Sequence, residues 1–128
     1  MSTSCALPRI SALNFVRYLF ASLAKERNVI IDKEKIVENI FAFKSNIKPE
    51  LVYAFNDIEF RTGIDNIVSP DIDASINNLQ TFGVVGKLNP TYEKMVIYLT
   101  DQDADYILES CEPNLRKAMS ELASSFGR

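Results

Sequence analysis

The segment "DQDADYILESCE", residues 101–112, sets Asp101, Asp103 and Asp105 at alternate positions, with Leu108 eighth and Glu112 twelfth. That is the ligand spacing of a calcium-binding loop, in which carboxylate and carbonyl oxygens surround a hard cation. The loop's mechanics are incomplete, however. Tyr106 occupies the sixth position, where the sharp turn needs glycine, and the preceding segment reads as a strand rather than a helix. "DADYILES" is itself a good helix, so an Asp-rich helix start is favoured over a calcium loop. Other chemistry is harder still to assemble. The chain has no histidine, the commonest general base and zinc ligand, and only two cysteines, Cys5 and Cys111, far apart in sequence. Its four glycines, Gly63, Gly83, Gly86 and Gly127, lack the spacing of a phosphate-cradling loop. No catalytic, cofactor or metal site is expected, and the chain reads as a non-enzyme.

The residues that remain suggest recognition. "SPDIDASINNLQTFG", from Ser69 to Gly83, carries its own start and stop: Ser69 to cap, Pro70 for the first turn, Asp71 and Asp73 against the positive end of the dipole, and Gly83 just past the end. Ile72, Ile76 and Leu79 share the inner face, and Ala74, Asn77, Asn78 and Thr81 the outer one. Asn77 and Asn78 are suited to adenine edges, with Lys87 and Lys94 nearby for phosphates. Yet this helix has no Lys or Arg, and the whole chain carries a net charge of −3. Independent DNA binding is therefore disfavoured relative to binding another protein.

These residues need elements to position them. "SALNFVRYLFASLAKERN" is apolar nearly all round, with Asn14, Arg17, Ala21 and Lys25 as the one strip able to face water, so this helix should be central. Asp32 then caps a second, surface helix, "KEKIVENIFAFKS", whose Ile36, Val37, Ile40, Phe41 and Ile47 face inward, opposite Glu34, Lys35, Glu38 and Ser45. Pro49 can open a third, "PELVYAFNDIEF", with Leu51, Val52, Phe55 and Ile58 facing inward and "RTG" ending it. The Ser69 helix comes next, then a hairpin of residues 84–88 and 94–99, with Met95, Ile97 and Leu99 on one face. Three helices, a fourth with a clear start and a hairpin make the order of a winged-helix domain. Asp101 can cap a short helix to about Ser110, and a last helix over 114–126 follows Pro113.

The expected fold is therefore mostly α with a small β-hairpin: a winged-helix-like single domain over 9–128 with additional C-terminal helices, preceded by a loose arm, residues 1–8. Composition, 47% hydrophobic and 24% charged over 128 residues, fits one such unit. No apolar run approaches a membrane span and the first residues lack a secretory layout, so a cytoplasmic protein with free thiols is expected. Two apolar strips lie outside this plan. Tyr53 and Phe60 point away from the inner face of the third helix, and Met119, Leu122 and Phe126 continue the Leu115 stripe of the last helix. Each strip is either covered by the chain's own core or offered to a partner or a second copy.

Taken together, "NFVRYLFASLA", "IDKEK", "VYAFNDIEFRTG", "SPDIDASINNLQTFGVVGKL" and "YEKMVIYLTDQDADYIL" resemble small winged-helix accessory proteins of prokaryotic defence loci. The pattern is similar to the middle components of ABC-three-component systems and to Panacea antitoxin domains. There a helix beginning near a Ser leads through a leucine and a short gap to a Gly-hydrophobe step, then through hydrophobe-Thr into a further helix. The likeness spans roughly residues 10–110 and consists of hydrophobic spacing; "NIVSPDI" replaces the Gly-Pro usual in Panacea domains. It implies a non-catalytic accessory or adaptor subunit that binds a large SMC-like ATPase with an effector, or a toxin. The other readings are a winged-helix transcriptional regulator and, more remotely, a small enzyme.

Overall fold

The computed structural model describes residues 10–27, 29–46, 51, 54–55, 57–63, 67–87 and 94–126, with the Lys87 side chain outside that set. Helix α1, Ala12–Lys25, begins where Ser11 Oγ accepts the Asn14 N–H at 3.1 Å. Nine of its residues are buried, from Phe15 to Ala24, and α3, α4 and α5 pack around it. A helix that is apolar on nearly every side must be enclosed, and this one is. Ala21, expected on the water-tolerant strip, is fully buried, because three neighbours leave room for only a few polar positions. The helix ends at Glu26, and Arg27 takes a left-handed φ of 62° that reverses the chain.

A short strand, β1 (Ile30–Asp32), leads directly into α2 (Lys33–Asn46), whose Ile36, Val37 and Ile40 are buried while Glu34, Lys35, Glu38 and Ser45 face water. The spacing of "PELVYAFNDIEF" predicts an α-helix next, and here the backbone differs. Its described residues form only a tight turn around Leu51, Ala54 and Phe55, where the Ile58 N–H donates to the Phe55 carbonyl, three residues back. Of the expected inward set, Leu51, Phe55 and Ile58 are buried, Phe55 packing on Phe15 with centroids 5.1 Å apart, and Val52 lies outside the described residues. Spacing of three and four residues does not separate one α-helix from a chain of tighter turns. At this length, packing rather than propensity decides the backbone. A two-stranded ribbon of β2 (Arg61–Thr62) and β3 (Ile67–Val68) follows, in register Arg61 to Val68 and Thr62 to Ile67.

Helix α3, Pro70–Thr81, forms as its signals dictate. Ser69 Oγ accepts the Ile72 N–H at 3.3 Å, Pro70 fills the first turn, and Ile72, Ile76 and Leu79 are buried. Gly83, at φ 79°, donates to the Gln80 carbonyl while the Val84 N–H reaches back to Leu79 at 2.9 Å, the paired bonds of a Schellman stop. Strands β4 (Val85–Lys87) and β5 (Lys94–Ile97) then pair antiparallel, with Val85 opposite Ile97 and Lys87 opposite Met95. Met95 and Ile97 are buried and Leu99 packs partly against the core, as the hairpin's alternation predicts. Strand β1 joins on the far side of β5, giving a three-stranded sheet ordered β1-β5-β4.

Thr100, rather than Asp101, caps α4 (Asp101–Glu109). Its hydroxyl accepts the Asp103 N–H, and the Asp103 carboxylate accepts the Thr100 N–H in return. Glu112 caps α5 (Pro113–Ser124) by accepting from Asn114 and Leu115. The described chain is thus mostly helical, five helices with small antiparallel sheets, and its buried apolar side chains form one cluster.

Candidate interaction surfaces

The exposed side of α3 carries Ala74, Asn77, Asn78, Gln80 and Thr81 and ends at Phe82, which is 74% exposed. None of these is charged. Asp71 and Asp73 stand at its N-terminus, and both are engaged: Asp71 Oδ2 accepts the Glu59 N–H at 2.7 Å, and Asp73 lies 3.8 Å from Lys33 Nζ. Two further described cations are similarly opposed. Lys94 faces Asp32 across β5 and β1 at 4.0 Å, and Arg61 faces Glu59 at 3.8 Å. The four sequence-predicted nucleic-acid contacts are therefore only partly assembled. Asn77 and Asn78 are exposed on α3, with the Asn77 carbonyl accepting the Thr81 hydroxyl at 3.1 Å; Lys94 is ion-paired; the Lys87 side chain lies outside the described residues. A phosphate approaching this face meets carboxylates already paired with the cations it would need.

The predicted partner anchors separate. Tyr53 lies outside the described residues. Phe60 is half-buried: its ring meets Phe41 edge-on at 5.2 Å, and Lys44 Nζ sits 5.4 Å from its centroid. It rims an open hollow of about 510 Å³ lined also by Lys44, Asp57, Ile58, Glu59 and Asp71. For Met119 and Leu122, by contrast, the structure takes the first of the two alternatives, the chain's own core, and not the partner surface. Both are buried, 0% and 1% exposed, and Phe126 packs partly buried against the same cluster. Helix α1 needs an apolar neighbour along its whole length, and α5 supplies it.

Three exposed aromatics, Phe82, Tyr98 and Tyr106 on α4, were missed as surface features. Phe82 keeps the stripe's spacing, three residues after the buried Leu79, but it is the C-cap of α3 and stands past the helix's packed length, so spacing did not single it out. Tyr98, 59% exposed, lies beyond the end of β5, and its ring rests against Gly86, where an added Cβ would come within 2.6 Å of Oη. No sequence signal announces that contact, because it depends on the pairing of β4 with β5.

The acidic segment over residues 101–112 is helix and cap rather than a chelating loop. Asp105 pairs with Lys25 at 3.0 Å, Asp101 with Arg27 at 3.6 Å, and Asp103 and Glu112 cap helices. Asp105 holds Lys25 above its ordinary pKa through their hydrogen bond. Cys111 is a buried free thiol, pushed up to about 11 by burial. Among the described residues no group of three His, Cys, Asp or Glu side chains is placed to hold a metal, and no helix is long and apolar enough to cross a membrane. Compared with known proteins, the chain matches no family model, no curated protein and no solved structure.

Proposed function

We propose that this protein is a non-catalytic adaptor of winged-helix type that works inside the cell by binding another protein. The observation that carries the reading is the α3 face: it has no Lys or Arg, carries Asp71 and Asp73 at its start with Lys33 already set against Asp73, and ends in the exposed Phe82. Such a face is poor at neutralising phosphates and suited to a protein interface, where a few aromatic anchors in a polar surround supply most of the affinity.

The element order supports the winged-helix part. Helix, strand, helix, then α3 and two strands, with the first strand added beside the last in the order β1-β5-β4, is how a winged helix closes its sheet. One departure also favours a protein partner. A DNA-reading helix-turn-helix joins its two helices by a short turn, whereas residues 47–69, including the β2–β3 ribbon, separate α2 from α3 here. The resemblance to defence-locus accessory proteins is the basis for the partner class proposed here: a large SMC-like ATPase acting with an effector, or a toxin.

The test is affinity purification of the full chain from its host. A stoichiometric partner should be retained, lost with Phe82→Ser or Phe60→Ser, and kept with Asn77→Ala plus Asn78→Ala. A salt-sensitive, sequence-specific complex of the isolated protein with duplex DNA that the Asn pair destroys would replace this reading with that of a transcriptional regulator.

A further inference from the structure

Tyr106 on α4 is 78% exposed, more than any other large apolar or aromatic side chain among the described residues. Ala104, Ile107 and Leu108 turn the opposite side of the helix into the core, which leaves the ring near the middle of the solvent face. Asp103 stands three residues before it and Glu109 three residues after, both exposed. Residues at that spacing are neighbours on a helix surface, so the two carboxylates flank the ring, one on each side.

The charges of this helix are unevenly matched. Asp101 and Asp105 are set against Arg27 and Lys25 from the end of α1, at 3.6 and 3.0 Å. Helix α4 carries no Lys or Arg of its own, and among the described residues no cation pairs with Asp103 or Glu109. One oxygen of Asp103 accepts the Thr100 N–H at 3.2 Å, which leaves the other to accept elsewhere. These charges restrict what can cover the ring. An apolar partner laid over Tyr106 would bury two carboxylates with no counter-charge, which is costly, and a phosphate backbone would be repelled.

We propose that the solvent face of α4 docks an arginine-bearing segment of another protein, with a guanidinium stacked on the Tyr106 ring and donating to Glu109 and Asp103. The argument is complementarity of charge and shape. A planar guanidinium lies flat on an aromatic face and donates in its own plane to carboxylates at the ring's sides, whereas an ammonium is a compact point charge that does not stack. Tyr and Arg are also residue types enriched among the anchors of protein interfaces. The surface is separate from the α3 face, since α3 and α4 each pack on α1, and it stands whether or not α3 is an interface. Together the two faces give the chain partner surfaces of different chemistry.

Titration of the full chain with the blocked peptide acetyl-Gly-Arg-Gly-Arg-Gly amide, followed through the backbone amide resonances, tests it. The citrulline version keeps the shape and removes the charge, and the lysine version keeps the charge and removes the plane. The arginine peptide should shift the Tyr106 and Glu109 amides saturably, with an affinity that falls several-fold between about 20 and about 200 mM salt. Tyr106→Ser and Glu109→Gln should each weaken it at least threefold, with circular dichroism confirming both folds, and Phe82→Ser should leave it unchanged. The lysine peptide should bind more weakly, and the citrulline peptide should leave the spectrum as it was. An arginine peptide that does not bind overturns the proposal, as does one whose shifts centre on other carboxylates such as Glu59 and Asp71. Binding equalled by the citrulline or lysine peptide, or undiminished in the Tyr106→Ser, Glu109→Gln double variant, overturns it too.

Discussion

A Cβ at Gly86 would fall 2.6 Å from Tyr98 Oη and 2.8 Å from Cε2, so Gly86→Ala must displace that ring. Because Tyr98 is 59% exposed, the ring has solvent to move into, and the cost to stability should be small, about 1 kcal/mol or less. The change should appear in the Tyr98 ring resonances by NMR while the melting temperature shifts by only a few degrees. Cys111 illustrates burial acting on chemistry. With its pKa raised from 9.0 to about 11 by desolvation, the thiol should resist alkylation at pH 8 in the folded protein and react on unfolding. The same shift makes stability depend on pH. Between about pH 9 and pH 11 the unfolded chain has released this proton and the folded chain has not, so the Cys111 contribution is full below pH 9 and is lost as pH rises through 11. Denaturant midpoints of the wild type and Cys111→Ser across that range check the sign, since only the wild type should show this component of the decline.

At the scale of elements, α3 is the clearest case of local signals agreeing with one another. Ser69→Ala removes the acceptor for the Ile72 N–H and should cost about 1 kcal/mol. Gly83→Ala meets nothing within 4 Å of the new Cβ, so its cost comes from the left-handed backbone alone, about 1–2 kcal/mol. Chemical denaturation of the two single variants and the double variant measures both terms and their additivity. The segment from Leu51 to Ile58 behaves differently, because its buried residues were legible and its backbone was not. Apolar spacing reports which side chains go inside, whereas the choice between an α-helix and tighter turns depends on what α1 and the start of α3 require of the connection. The hydrogen bond from Glu59 N–H to Asp71 ties that connection to α3 and has no counterpart in the local sequence.

For the whole molecule, the enclosure of α1 is the main organising fact. Phe20 and Leu19 are fully buried on it, and Met119 meets the same core from α5. Leu19→Ala and Met119→Ala should each destabilise by about 2–5 kcal/mol, the range for emptying a packed site. Phe82→Ser, at 74% exposure, should cost well under 1 kcal/mol, and thermal unfolding of the three variants separates core from surface. The distribution of charge belongs to this scale too. At net charge −3 and with Lys33, Arg61 and Lys94 matched to carboxylates, the isolated protein should not shift random duplex DNA even at low salt.

Sequence alone determined whatever depends on neighbours along the chain. The cap at Ser69, the stop at Gly83, the inward set of α3, and the alternation of Met95, Ile97 and Leu99 all follow from spacing and backbone chemistry. It also indicated that "DADYILES" is helix, although the cap proved to be Thr100, which exchanges hydrogen bonds with Asp103 in a capping box. Tertiary structure decided which apolar stripes remain available. Met119, Leu122 and Phe126 form a stripe that would serve equally well inside or outside, and only the need to cover α1 assigned it to the core. Strand β1 is three residues long, too short to declare itself, and exists because β5 offers it a free edge. The exposed face it completes, with Tyr98 lying over Gly86, requires residues far apart in sequence to come into register, and no local pattern encodes that register.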